Sequence, residues 1–293
     1  MAKKKYVVQA GKQSQIADVW FRLKKNKAAM CGLIVIIIIA LLAIFADVIA
    51  DYETKVIAQY PSERYQTPSW EHPFGTDAYG RDIFARVIHG ARYSLMFGII
   101  CTAVSLVGGS LVGASAAFFG GKVENIIMRI LDTIACIPAM LLTLSLVSAF
   151  GAGLQSLMLA ISIGSIPAFA RLVRSVVLTV VRQDYIEAAK ATGVGTFRTI
   201  VFHVFPNAIG IIIVDATMNI AGLIMSAASM SFIGMGIQPP APEWGAMLSE
   251  AQSMMRLHPH TVLFPGMMII LTALSFNLLG DGLSEALDPR MKD

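Results

Sequence analysis

Long apolar stretches alternate with short charged ones along this chain. Residues 28–46 run for 19 residues without a charge, 93–121 carry none, 133–170 are uncharged for 38 residues, and 261–280 for 20. Residues 208–235 hold a single acid, Asp215. A 19-residue helix is about 29 Å long, the thickness of one bilayer core. The 38-residue run is too long for one crossing, and Gly151-Ala152-Gly153 interrupts it, which predicts a tight hairpin there. The pattern predicts an all-α, polytopic membrane protein. Its six transmembrane helices lie at 28–50, about 93–119, 127–150, 154–171, 208–235 and 261–280.

The polar intervals have character of their own. Residues 1–27 are basic, and Ile16, Val19, Trp20 and Leu23 repeat at i, i+3, i+4 and i+7. This predicts an amphipathic helix on the inner membrane surface, with Ser14 as N-cap. Residues 51–92 form an outer loop. Turns over His72–Asp82 lead into a short amphipathic surface helix with Phe84, Val87, Ile88 and Ala91 on one face and an Asp82–Arg86 pair on the other. Gly109 and Gly113 form a G-x-x-x-G that allows close helix approach. Residues 172–206 are the longest polar loop of the second half, and 282–293 form a polar tail.

Composition agrees with a membrane location: 56% of the residues are hydrophobic and 14% charged, against roughly 25% charged in soluble domains. Cys31, Cys101 and Cys136 all lie in apolar runs, which suits core packing rather than a disulfide framework. With six spans the termini share one side. That side collects 17 of the 23 Lys and Arg, so both termini and loop 172–206 are expected in the cytoplasm.

Candidate chemistry is sparse. There is no G-x-x-x-x-G-K-[ST] loop; Gly120-Gly121-Lys122-Val123 lacks the loop and the hydroxyl. His258 and His260 alone make a poor metal site, and no nucleophile–base constellation is evident. No catalytic, metal or cofactor site is expected, and no nucleic-acid partner. Asp132 and Asp215 fall within predicted spans, where a carboxylate faces a pathway, couples protons or bonds a neighbouring helix; Asp132 lies one turn from Arg129. A stand-alone proton-coupled carrier using both acids is therefore one reading. In the central loop, Asp184–Ala191 is helix-forming, with Glu187 beside the small face of Ala188 and Ala189. Gly193 and Gly195 break this helix, and a second one runs from Thr196 to Pro206. Two short helices held between spans make a rigid docking knob.

The order Glu187-Ala-Ala-Lys-Ala-Thr-Gly193, then twelve residues, then Pro206 resembles the E-A-A-x-x-x-G motif of permease subunits in binding-protein-dependent ABC importers. Five further stretches resemble the C-type permease of the dipeptide, oligopeptide and nickel branch. They are His72–Asp82, Gly90-Ala-Arg-Tyr-Ser-Leu95, Ser231–Gly236, Pro240–Gly245 and Asn277–Asp281 through Leu287-Asp-Pro-Arg290. The resemblance covers nearly the whole chain. It implies a type I importer permease fold, with span one peripheral to a five-helix core at 93–281. It also implies that 172–206 is a coupling loop, in which Asp184, Glu187, Ala188, Ala189, Gly193 and Pro206 dock an ATPase. ATP and Mg would then sit on two partner subunits, a second permease would complete the pore, and the membrane would be the inner one of a prokaryote. The outer loops would meet a solute-binding protein, with Asp77, Arg81, Asp82, Glu243 and Trp244 as contact candidates. The implied cargo is a di- or oligopeptide, with nickel or a metal chelate as the alternative.

Overall fold

The computed structural model describes residues 15–287. The expected Ser14 cap, the rest of the basic tail and the Asp288–Arg290 end of the last motif lie outside the described residues. The α-helices within them are α1 Gln15–Leu23, α2 Lys27–Ile44, α3 Ala46–Ile49, α4 Ile83–Phe119, α5 Gly121–Ala135, α6 Ala139–Phe150, α7 Leu154–Val181, α8 Asp184–Ala191, α9 Thr196–Thr199, α10 Phe205–Phe232, α11 Trp244–Ala251 and α12 His260–Leu287, and the longest non-helical stretch, 64–82, holds turns and one isolated Thr76–Asp82 bridge. Five helices (α2, α4, α7, α10 and α12) are long and apolar enough to cross a membrane, and α5 with α6 makes a sixth candidate.

The surface helix expected before span two does not exist separately. α4 runs unbroken through 37 residues, about 55 Å, so its first turns rise well above one bilayer core. The expected Asp82–Arg86 pair is also absent. Asp82 instead caps α4, its Oδ1 accepting the Ala85 N–H at 2.9 Å.

Span three is broken rather than straight. α5 and α6 meet at an angle of 84°. Pro138 stands at the N-cap of α6. A proline there lacks the amide donor that a continuing helix requires and crowds the carbonyl four residues back. α6 has 12 residues, about 18 Å, and cannot cross a bilayer alone. The hairpin expected at Gly151–Gly153 does separate α6 from α7.

The centre of the fold is the contact between α4 and α7. A Cβ on Gly109 would lie 2.5 Å from Phe169 Cβ, and one on Gly113 would lie 2.3 Å from the Ala170 carbonyl oxygen. The G-x-x-x-G thus brings two backbones together. A second apolar layer joins α2, α4, α10, α11 and α12 through Ile39, Ile83, Val87, Ile224, Trp244 and Phe276. The first span is tied to the core at its C-terminal end, where Arg92 of α4 donates to the Ala43 and Ile44 carbonyls. Those are last-turn acceptors that α2 cannot satisfy itself.

Replacing Gly113 by valine should overpack the α4–α7 contact by about 1–3 kcal/mol. The expected readout is a lower midpoint of heat-induced unfolding in detergent, while Gly222→Val, at a site open to added atoms, leaves the midpoint near wild type.

Candidate functional site

At the end opposite Arg92, α7 stops at Val181, and only Arg182 and Gln183 separate it from α8. α8 is pinned by one side chain. Ile186 is fully buried among Val177, Val180, Val204 and Ala208. Asp184, Glu187 and Ala188 face outward, and Ala189 is partly exposed. The result is an eight-residue helix whose outer face is acidic next to small, so a partner helix or groove wall can approach its backbone.

Gly193 ends this helix for a conformational reason. Its φ is +81°, in the region L side chains rarely adopt. The Val194 N–H donates to the Ala189 carbonyl at 3.1 Å and the Thr192 N–H to that of Ala188 at 3.0 Å. The first bond spans six residues back to the last turn, the signature of a Schellman cap. No atom lies within 4 Å of a Cβ built on Gly193, so backbone strain alone demands glycine there.

The second helix expected to end at Pro206 is not separate. α9 passes through a π-helical turn, Ile200–Val204, directly into α10, with Pro206 in its first turn. Proline offers no amide donor to the carbonyls of the preceding turn, and the ladder there is π-helical rather than regular. The loop therefore has a joint on the α7 side and a continuous helical connection on the α10 side.

The intramembrane acids are both bonded locally. Asp132, 60% exposed, lies 3.5 Å from Arg171 of α7 rather than pairing with Arg129. Nearby, Arg174 Nε donates to Glu124 Oε1 at 2.7 Å, so two ion pairs tie α5 to α7. Asp215 Oδ2 accepts from Asn219 Nδ2 at 2.9 Å, one turn along α10.

The outer contact candidates are interior instead. Trp244 is fully buried, its Nε1 donating to the Val87 carbonyl at 2.9 Å. Arg81, Asp82 and Glu243 are also buried, and Asp77 is nearly so. Arg81 binds Asp77 and Glu250, each at 2.6 Å, and Arg86 binds Glu250 at 3.0 Å. His72 Nδ1 lies 2.8 Å from Asp82 Oδ2. Sequence reasoning missed Glu250, because its partners lie more than 160 residues away. These charges pair largely with one another inside the head, while Arg86 Nε is buried without a hydrogen-bond partner among the described residues. What the head does expose is Trp70 and Leu257. Glu243 caps α11, accepting the Gly245 and Ala246 N–H groups at 2.9 and 2.8 Å. Burial pushes its carboxyl above the ordinary range, against the pull of those bonds. Among the described residues no three His, Cys, Asp or Glu side chains gather as a metal site.

The described residues form a bundle of helices long and apolar enough to cross a membrane, with a head of paired charges at one end and an exposed, glycine-capped helix at the other, the plan of a multi-pass membrane protein. The chain belongs to the family described as binding-protein-dependent transport system inner membrane component, which matches residues 109–293. Residues 14–68 match the N-terminal TM domain of oligopeptide transport permease C. A dipeptide transport system permease protein, DppC, of Alkalihalophilus pseudofirmus is 44% identical over 271 residues, covering 92% of this chain and 88% of that protein. A glutathione transport system permease protein, GsiD, of Escherichia coli O6:K15:H31 is 42% identical over 275 residues, covering 94% and 90%. The fold resembles that of the MetNI methionine ABC transporter in an inward-facing conformation, at 17% identity and TM-score 0.60, covering 70% of this chain and 98% of that one. The chain is thus a multi-pass permease of a binding-protein-dependent ABC importer, and ATP is bound on partner subunits.

Glu250→Ala would leave Arg81 and Arg86 without their shared acid. A loss of about 3–5 kcal/mol is expected, seen as a lowered unfolding midpoint and faster proteolysis of the outer loop. Glu243 supplies a pH test. A carboxyl raised by burial stabilises the fold most when protonated, and that contribution fades as pH rises through its folded value. Glu243→Gln should therefore flatten the decline in unfolding midpoint between acidic and neutral pH.

Proposed function

We propose that this chain carries short peptides inward across the cytoplasmic membrane, driven by ATP hydrolysed on two partner subunits that dock at α8. The observation that carries the reading is the exposure of α8, in which Ile186 is the one buried side chain among those described and Asp184, Glu187, Ala188 and Ala189 are open to a partner. Glu187 meets basic groups of that partner, the two alanines let it approach closely, and Gly193 holds the bend. Pro206 lies in the first turn of α10, so a displacement of α8 reaches α10 across the Gly193 bend and then through α9, which is continuous with α10, and reaches α7 through a two-residue joint. Asp132 and Glu124 then carry the movement from α7 to α5 by their ion pairs with Arg171 and Arg174.

A second, homologous permease completes the pore, and an extracytoplasmic binding protein delivers the solute to the outer head. The excess of Lys and Arg on the α8 side supports a cytoplasmic location for both termini. Peptide cargo is supported by two relatives above 40% identity, whose names specify dipeptide and glutathione, both small peptides.

The decisive experiment reconstitutes the complete importer in vesicles and follows labelled dipeptide and glutathione. Uptake should require ATP and persist when the proton gradient is collapsed. Uptake without ATPase subunits that disappears with the gradient would refute the proposal. Gly193→Val, which forces a side chain into the left-handed region at roughly 1–2 kcal/mol, and Glu187→Lys should each abolish coupled uptake while membrane insertion stays normal.

A further inference from the structure

The amphipathic face expected of α1 is divided in the structure. Leu23 is buried and Val19 half-buried against the end of α12, beside Leu279, Leu283 and Ala286. Asn26, which caps α2, also donates to Glu285 Oε2 at 2.6 Å. At Gly282 an added Cβ would sit 2.2 Å from Ala29 Cβ, so the start of α2 and the end of α12 are in direct contact. The other face of α1 is open. Trp20 is 44% exposed and Phe21 61%. The Lys24 ammonium lies 5.1 Å from the Trp20 ring centre, and that of Lys25 4.4 Å from Phe21. Arg22 and Lys27 adjoin them, and the only acid on α1 is Asp18.

The depth of this face follows from the chain itself. α2 enters the membrane at Lys27, three residues after α1 turns, so α1 lies at the boundary between water and lipid. Aromatic rings favour that boundary, and ammonium groups beside them are placed to meet acidic headgroups. We propose that α1 binds acidic phospholipid headgroups through Lys24, Lys25 and Lys27, with Trp20 and Phe21 seated among the lipids, and that this contact holds the terminal turns of α12 in place. The proposal rests on the membrane placement of α2 and not on the nature of the cargo. Charge complementarity and continuity with the bilayer select lipid over an acidic protein surface as the occupant.

The test compares the intact importer in nanodiscs of phosphatidylcholine alone and of phosphatidylcholine mixed with phosphatidylglycerol. Wild type should unfold at a higher temperature in the mixed discs and retain phosphatidylglycerol in native mass spectrometry. In Lys24→Gln/Lys25→Gln/Lys27→Gln the increment should vanish, and retention should fall about fivefold per lysine removed. Lys55→Gln, an exposed change in the outer loop, should keep both. High salt should erase the increment in wild type, which tests the idea even where the triple variant inserts poorly. Equal unfolding temperatures in the two lipids, undiminished retention by the triple variant, or an increment that follows the ATPase subunits rather than the lipid would each overturn it. Failure here leaves ATP-dependent uptake untouched, so the two readings are separable.

Discussion

The approach of α4 to α7 at Gly109, Gly113 and Ala170 is the contact on which the remaining packing depends. Between membrane helices there is little hydrophobic force, since lipid is as apolar as leucine, and dispersion across closely spaced backbones must do the holding. α4 also touches α2, α5, α10 and α11, so it acts as the mast of the bundle. Because only two residues separate α7 from α8, the exposed acidic helix is joined closely to this packed pair.

The two ends of the bundle solve opposite problems. The outer head buries its charges and pairs them, with Arg81 and Arg86 shared between Asp77 and Glu250 and with His72 against Asp82. Such clusters contribute little net stability but penalise any arrangement that leaves one member alone. They give the head a single geometry. The opposite end keeps its acidic helix exposed, with Ile186 the one buried side chain among those described.

The spans were legible because an uncharged run of about twenty residues has few stable alternatives to a crossing helix. The short helix Asp184–Ala191 was legible because Gly193 marks its end. Three features were not read. Arg86, expected in a surface pair with Asp82, instead finds Glu250, and His89 and Arg92 find the Ala50 carbonyl and Asp47, which allows α4 to begin early and remain partly buried. The 84° break was visible as Ile137-Pro138 but lay hidden within an otherwise unbroken apolar run. The outer candidates Asp77, Arg81, Asp82, Glu243 and Trp244 were chosen as polar or aromatic residues in a loop; which of them faces inward is decided by tertiary partners that no local pattern encodes.

The self-contained pairing of the outer head bears on how such a protein can change over generations. Trp70 is fully exposed, and Leu257 is largely so. Substitutions at these tips disturb none of the arginine–carboxylate bonds beneath them. Selection can therefore remodel the exterior for a new delivery protein while the frame beneath keeps its shape. Recognition and architecture can thus drift at different rates within one short stretch of chain.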